Sequence, residues 1–311
     1  MDKSEFGKIG VLAGGPSNER EISLRSGRAV YSALIDEGLD VAFLDITGES
    51  CAELKTAGID VAFIALHGKF GEDGTVQKML EDAGMPYTGS GVEASRLALD
   101  KIASKEAFAK KGIPSPRYRV LEKSRVNTAH INSIRLPAVI KPQFEGSSIG
   151  LSIVRERSGL KAALDKAFAY GARTIIEDYI DGRELTVGIL DEEPLPVIEI
   201  VTKHKVYDYQ AKYSDPDTKY IVPAPVEKGA YGRAQALGAA AHRALGCRSF
   251  SRVDMLMDGR GELFVLEVNT IPGMTERSLL PKAARANGMS FSGLCMKLVE
   301  NAVKDRLGVK R

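Results

Sequence analysis

The most restrictive feature of this chain is the order in which apolar runs and helix-patterned runs alternate over its first third. Lys8–Ala13 is a short apolar run that stops at Gly14-Gly15. From about Ser23 to Glu37, the residues Ala29, Val30, Ala33 and Leu34 recur on one helical face, with Gly38 beyond the end. Val41–Asp45 and Val61–Leu66 read as two further strands, with a short helix, Cys51–Ala57, between them and another near Thr75–Ala83. Strand, helix, strand, helix, strand in this order implies a parallel sheet with right-handed crossovers. Such a sheet binds ligands at the carboxyl ends of its strands. Gly14-Gly15-Pro16-Ser17-Asn18-Glu19 and Leu66-His67-Gly68 both lie there.

The pattern then changes. Ala94–Lys111 is helix-rich and stops at Gly112 and Pro114. Short strands near Arg117–Leu121, Pro137–Lys141, Leu151–Val154 and Thr174–Glu177, with a helix about Gly159–Ala169, predict a compact α+β unit. The remainder opens with the strand-like Leu185–Leu190 and Pro194–Val201, followed by a long polar loop over 202–222. A structureless stretch of this length in a compact protein reads as a functional lid or a disordered segment. Ala230, Ala234, Leu237, Ala241 and Leu245 mark a helix, Ser251–Met257 and Glu262–Asn269 the last strands, and Phe291–Arg306 a terminal helix. The expected fold class is α/β with an α+β central lobe, divided as 1–100, 101–182 and 183–311. Segment 122–135 matches no motif.

Asp258-Gly259-Arg260-Gly261 is a strong hairpin turn. If Met257 faces Glu262, Asp254 faces Val265 and Arg252 faces Glu267. Alternation across the strands then gives a core face of Val253, Met255, Met257, Phe264, Leu266 and Val268. The other face carries Arg252, Asp254, Glu267 and Asn269, with Leu256, Leu263 and Val265 among them. Two carboxylates and an amide on one face suit Mg²⁺, a hard cation that takes a few protein oxygens and completes its shell with water and phosphate. The bland alternative is a solvated face whose acids pair with Arg252. The irregular segment 270–275 beyond Asn269, which brings backbone donors to the same face, favours the metal.

Lys141 ends a strand and is followed by a Gly/Ser-rich loop through Gly150, which can cradle phosphates with its backbone N–H groups or be a plain hairpin turn. Neither the GxxxxGK[ST] loop nor the GxGxxG fingerprint is present. Glu177–Glu184 joins two lobes, and its amides and carboxylates suit a base edge and ribose hydroxyls; taken without the neighbouring sites it reads as an ordinary acidic linker. Glu19 can hold a substrate ammonium, although a role at the following helix terminus competes. His67 gains interest from its place at a strand end. His130, His204 and His242 receive no role.

Composition excludes more than it identifies. Lys plus Arg total 43 and Asp plus Glu 41 over 311 residues, a net charge of +2. That balance argues against a nucleic-acid-coating surface, while leaving room for local basic sites. Three widely spaced cysteines, Cys51, Cys247 and Cys295, contain no Cys-x-x-Cys pair. They read as thiols of a reducing compartment rather than a disulfide framework or zinc site. No secretory segment, membrane-length apolar stretch or lipidation motif is visible, so the expectation is a cytoplasmic protein without a membrane partner.

Taken in order, Gly14 through Glu21, Ala65-Leu66-His67-Gly68, Tyr87-Thr88-Gly89-Ser90-Gly91, Asp100-Lys101, Lys141-Pro142 through Gly150, Ala211-Lys212-Tyr213, Arg252-Val253-Asp254, Leu266-Glu267-Val268-Asn269-Thr270 and Pro272-Gly273-Met274-Thr275 resemble the D-alanine–D-alanine ligases of the ATP-grasp superfamily over nearly the whole chain. The resemblance implies three α/β domains with ATP gripped between the central and C-terminal ones. It implies that ATP phosphorylates the carboxylate of one D-alanine, and that the amine of a second attacks the acyl phosphate.

By position, Lys101 and Lys141 should neutralise nucleotide phosphates. Glu177 and the Ile180 backbone should meet adenine, and Glu184 the ribose. Asp254, Glu267 and Asn269 should bind two Mg²⁺ ions, with Mn²⁺ as a substitute and a monovalent cation as a further requirement to test. Arg252 and the Gly273 N–H should stabilise the oxyanion. Glu19 should hold the first D-alanine's ammonium, with His67 close by, and Ser278 and the Leu279 N–H the second carboxylate. Lys212 and Tyr213 belong to the lid, Tyr213 reaching Glu19 through Ser147. The lysine–tyrosine pair resembles that of amide-forming rather than D-lactate-ester-forming relatives. A homodimer is the family expectation. One departure is Asp178, where relatives often carry lysine.

The competing readings are another ATP-grasp carboxylate–amine or D-alanyl–D-lactate-type ligase, and a nucleotide-responsive binding protein that has lost turnover. The full set of metal ligands, Arg252 and the lid residues argue against the last.

Overall fold

The computed structural model describes residues 3–48, 57–202 and 217–306. The first sheet is the parallel one expected. β1 (Ile9–Gly14) lies between β2 (Val41–Ile46) and β3 (Val61–Ile64), in the order β2-β1-β3. Every residue of β1 is buried, as the middle strand of a sheet covered on both faces requires. The chain turns at Gly14 and Gly15, with φ of +87° and +82°, a region open to glycine at no steric penalty. α1 (Arg20–Asp36) starts three residues earlier than its apolar periodicity suggests. It packs so closely on β1 that a Cβ on Gly27 would come within 2.4 Å of the Ala13 Cβ. Ser23 pins the same helix by accepting from the Gly14 N–H at 2.8 Å and donating to the Ala65 carbonyl at 2.7 Å.

α2 (Thr75–Asp82) follows. The helix-rich stretch after it is two helices, α3 (Val92–Leu99) and α4 (Lys101–Lys110), rather than one. The break is at Asp100, whose extended backbone lets its carboxylate accept from the N–H groups of Ile102 at 2.9 Å and Ala103 at 3.1 Å. This N-cap puts Lys101 at the first helical position.

The second sheet contains β4 (Tyr118–Glu122), β5 (Ala138–Pro142), β6 (Ser152–Val154) and β7 (Arg173–Asp178), antiparallel in the order β4-β7-β5-β6. The short α5 (Thr128–Asn132) occupies the segment without a motif, and α6 (Leu160–Phe168) covers the sheet. The third sheet is built from β8 (Gly182–Leu190), β9 (Glu193–Pro194), β10 (Ile198–Val201), β11 (Lys219–Ile221), and, after α7 (Lys228–Ala244), β12 (Phe250–Asp258) and β13 (Leu263–Asn269). Its order is β11-β10-β8-β12-β13, with β9 on β8.

The chain ends in α8 (Leu279–Ala286), which the sequence reading did not anticipate, and α9 (Phe291–Arg306). Helices are shared between sheets. Ala94, Ala98 and Phe108 of α3 and α4 join the core under β8, β12 and β13. Leu294, Leu298 and Val299 of α9 join the core of the first sheet, together with Ile198, Ile200 and Phe250 from the third. The expected helix 51–57 lies almost wholly outside the described residues, as does most of the 202–222 loop.

The hairpin register differs from the expectation. Met257 pairs with Leu263 and Met255 with Val265, and a bulge then shifts the ladder so that Asp254 faces Glu267, Val253 faces Val268 and Arg252 faces Asn269. The extra residue of a bulge breaks the strict alternation of a strand. The turn already sets Leu263, not Glu262, against Met257, so Leu263 and Val265 belong to the core, and the bulge then leaves Leu266 and Glu267, neighbours in sequence, both lining the cleft. Phe264 and Leu266 were expected in the core and Leu263 and Val265 outside it. The turn register reverses all four, and the bulge then brings the two carboxylates directly opposite each other.

Candidate active site

Two cavities adjoin between the three sheets. The first, of about 380 Å³, separates the second and third sheets. Val139, Lys141, Ile153 and Glu177 line it from one side, Glu184, Asp254, Leu256 and Leu266 from the other, and the connector residues Asp178, Tyr179 and Ile180 close one end. Its walls combine apolar surface with a few charged groups, the usual make-up of a small-molecule site. The second, of about 410 Å³, is bounded by Glu19, His67, Ser147, Arg252, Asn269, Gly273, Ser278 and Leu279. Lys101 and Glu267 line both and form the passage between them.

Every proposed site residue within the described residues therefore borders one cavity or both. Lys212 and Tyr213 lie outside the described residues.

The passage is held by local structure. Gln143 donates to the Asp100 carboxylate at 2.8 Å and its carbonyl accepts from the Lys101 N–H at 3.1 Å, so the Lys141 loop and the start of α4 are one unit. The Lys101 ammonium donates to the Glu145 carbonyl at 2.6 Å and lies 3.7 Å from Glu267. In that loop Ser147 and Ser148 have φ of +49° and +59°. Ser147 Oγ donates to the Glu19 carboxylate, joining the second lobe to the first.

On the hairpin, Arg252 grips Asp254 with two bonds, Nε at 2.9 Å and Nη2 at 2.7 Å. Thr186, across the ladder on β8, donates to Asp254 at 2.6 Å. Asn269 Oδ1 accepts from the Ile271 N–H at 3.2 Å. Among the described residues no group of three or more His, Cys, Asp or Glu side chains gathers as a metal cage. The donor set is instead Asp254 and Glu267 as cross-strand partners with one amide nearby. Such an incomplete set of hard oxygens fits a small divalent cation that keeps water and substrate phosphates in its shell.

Three groups were not legible as site residues. Lys105, one turn beyond Lys101, contacts Glu177 Oε1 at 2.7 Å, and Lys141 contacts the same oxygen at 3.0 Å. The Glu177 carboxylate is thus occupied by two lysines. Burial alone would raise its pKa, but those two charges hold it below the ordinary carboxylate value.

Glu72 lies 3.7 Å from His67 Nδ1 and accepts from the Gly68 N–H at 2.9 Å. Ser26 approaches His67 Nε2 at 3.3 Å. Burial opposes charge on His67, yet the nearby Glu72 carboxylate, with the charge of Glu19, raises its pKa above the ordinary value. The i+4 spacing from Lys101 is the only sequence signal for Lys105; Glu72 and Ser26 carry none.

The remaining expectations concern groups away from the cavities, Asp178 at the rim of the first excepted. Cys247 and Cys295 are buried, and desolvation pushes both thiols up to about 12, as inert core residues. His242 is buried against Ser251 Oγ at 2.7 Å, and His130 is exposed near the Arg125 carbonyl. His204 and Cys51 lie outside the described residues. Asp178 ends β7 and pairs with Arg117 at 3.1 Å on the rim.

Comparison with known proteins identifies the family. Two family models match, one described as D-ala D-ala ligase C-terminus over residues 107–300 and one as D-ala D-ala ligase N-terminus over 48–90. The chain is 48% identical over 296 residues to a D-alanine–D-alanine ligase of Citrifermentans bemidjiense, covering 95% of this chain and 96% of that one. It is also 48% identical over 297 residues to one of Pelobacter propionicus, with the same shares covered. Among solved structures, the Bacillus anthracis D-alanine–D-alanine ligase complexed with ATP superposes with a TM-score of 0.86 at 33% identity, covering 98% of this chain and all of that one. The VanG D-Ala:D-Ser ligase of Enterococcus faecalis superposes with a TM-score of 0.81 at 31% identity, covering 95% and 99%.

Proposed function

The chain belongs to the D-alanine–D-alanine ligase family, and from that premise we propose that its adjoining cavities hold ATP and two D-alanine molecules and join the latter into D-alanyl-D-alanine. It is an ATP-dependent, peptide-bond-forming ligase of the ATP-grasp fold, and its product serves peptidoglycan synthesis. The observation that carries the reading is the meeting of the two cavities at Lys101 and Glu267. A nucleotide in the cleft between the second and third sheets would point its phosphates at that passage, beyond which lies a cavity walled by an acid, an arginine and a helix start.

We assign the roles as follows. Lys101 and Lys141 offset phosphate charge, Glu184 faces the ribose, and the Ile180 backbone faces the base. The Glu177 carboxylate, held by Lys105 and Lys141, acts on the nucleotide through Lys141. Asp254, Glu267 and Asn269 would hold two Mg²⁺ ions, or Mn²⁺ in their place, which when bound screen and orient the transferring phosphoryl group. Glu19, with Ser147 bonded to it, receives the first D-alanine's ammonium and aims its carboxylate at the passage. The charge environment of His67 is set by Glu72 and Glu19 on the same wall.

Transfer of the γ-phosphoryl group to the first D-alanine carboxylate leaves ADP. The unprotonated amine of the second D-alanine then attacks the acyl carbon, and the tetrahedral intermediate collapses with cleavage of the acyl C–O bond to give dipeptide and phosphate. Arg252 and the Gly273 N–H border the cavity where the resulting oxyanion develops, and preorganised donors contribute most to such charge. Ser278 and Leu279 open α8; N–H groups at a helix start suit a carboxylate, here that of the second substrate. Lys212 and Tyr213 are assigned to a lid over 202–222 that excludes water from the acyl phosphate.

Fold alone does not choose the acceptor, because a D-Ala:D-Ser ligase shares it. The higher identity to D-alanine–D-alanine ligases favours D-alanine over D-serine, and the Lys212-Tyr213 pair favours it over D-lactate. We place the division of labour at 1–100, 101–182 and 183–311, the assembly as a homodimer and the reaction in the cytoplasm, with monovalent-cation activation to be tested. No helix among the described residues is long and apolar enough to cross a membrane. The test is phosphate release from Mg-ATP, expected to depend on D-alanine. Tyr213→Phe is expected to raise the KM for D-alanine, and unchanged kinetics at both D-alanine sites would remove Tyr213 from the site.

A further inference from the structure

We infer that Lys105 is a positioning residue for nucleotide binding. Its buried ammonium fixes the Glu177 carboxylate, which in turn fixes Lys141 at the cavity wall, and its charge keeps this three-residue group net positive. The inference rests on the reading of the first cavity as the nucleotide site.

Lys105 reaches neither cavity wall, whereas Glu177 and Lys141 line the first. The Lys105 side chain is fully buried and Glu177 is nearly so, and a single oxygen, Glu177 Oε1, meets both ammonium groups at 2.7 and 3.0 Å. The Tyr118 ring lies on another side of the Lys105 ammonium, with 5.4 Å between Nζ and the ring centroid. Buried ion clusters are poor sources of stability, because desolvation offsets the attraction. A buried lysine beside a pair that already balances therefore calls for another explanation.

Charge counting supplies it. Glu177 with Lys141 alone is neutral and would offer a polyanionic substrate little attraction. With Lys105 the group holds two ammonium charges against one carboxylate, so Lys141 faces the cavity with a positive charge unspent. Two lysines also anchor the Glu177 carboxylate where it lines the cavity, so that its charge is met rather than presented bare to phosphate. Burial lowers the Lys105 pKa, against the attraction of Glu177 and with the like charge of Lys141. α4 thus delivers two lysines one turn apart, Lys101 to the passage and Lys105 behind Glu177.

The test is calorimetric binding of Mg-ATP and of adenosine to the wild-type chain, Lys105→Met and Lys105→Arg, with KM values for ATP and D-alanine. Lys105→Met is expected to weaken ATP about tenfold or more, while adenosine affinity and the KM for D-alanine change less than twofold. Lys105→Arg, which keeps the charge, is expected to recover most of the ATP affinity. Should the methionine variant not fold, the arginine variant carries the same split, with a few-fold rise in the KM for ATP and none in that for D-alanine. Unchanged ATP affinity in Lys105→Met, or equal loss of ATP and adenosine, overturns the inference. Absence of ATP binding in the wild-type chain would instead overturn the nucleotide reading beneath it.

Discussion

Glu267 is the residue on which the two cavities depend most. It faces Asp254 across the ladder, borders both spaces and approaches Lys101 at 3.7 Å. Glu267→Gln keeps the shape and removes a metal-binding charge, so turnover at limiting Mg²⁺ is expected to fall by about 10²-fold or more. Near-normal activity under that condition would count against the metal assignment. His67 gives a second residue-level expectation. Its folded-state pKa is above 6.5, so the stability from its charged form is fully present below pH 6.5 and is lost as pH rises through the folded midpoint. Glu72→Gln removes the partner that raises it. The imidazole midpoint, followed by NMR, is expected to move down; a midpoint that stays put would show that Glu72 does not set the charge of His67.

At the scale of elements, the start of α4 carries the largest consequence. Asp100 caps that helix and also receives Gln143, so Asp100→Ala is expected to lower stability by about 1–2 kcal/mol and to raise the KM for ATP through Lys101 and the Lys141 loop. A thermal melt and ATP kinetics check both, and a melt shift with unchanged ATP kinetics would confine Asp100 to capping. This level also marks where sequence reading works and where it stops. The parallel strands β1 to β3 were legible because each is an apolar run closed by a turn signal, and β12 and β13 because an Asp-Gly turn joins them. Their register was not, since a bulge adds one residue without any local signal. The turn register decides whether Leu266 or Val265 meets the core, and the bulge decides whether Asp254 faces Glu267. The helix-rich stretch 94–111 was legible, but not the capping contacts that divide it at Asp100. α8 was missed because its short apolar face follows irregular chain. Lys105 and Glu72 stayed hidden because their partners, Glu177 and His67, matter through space rather than through spacing; Glu177 is distant along the chain, and Glu72 stands in no recognisable motif with His67.

Across the whole molecule, the ends of the chain meet the middle. α9 packs on α1 and β3 of the first sheet and shares a core with β10, so the sheets that frame the second cavity are held by a C-terminal element. Removing residues 291–306 exposes that core. Burial of each large aliphatic there contributes about 1.5–3 kcal/mol, and the truncated chain is expected to be insoluble or unfolded by circular dichroism. A folded truncated protein would mean the first sheet stands without α9. Near-neutral total charge is compatible with this architecture, because the ionic groups are concentrated at the junction: Lys101, Lys141, Lys105 and Arg252 against Glu177, Asp254 and Glu267. The most direct test of that junction as the centre of a ligase is coupled phosphate release from Mg-ATP across D-alanine, D-serine, D-lactate and L-alanine, with the product identified by mass. D-alanine is expected to give the fastest release, with one D-alanyl-D-alanine formed per phosphate. ATP turnover indifferent to D-alanine, or phosphate without dipeptide, would contradict it.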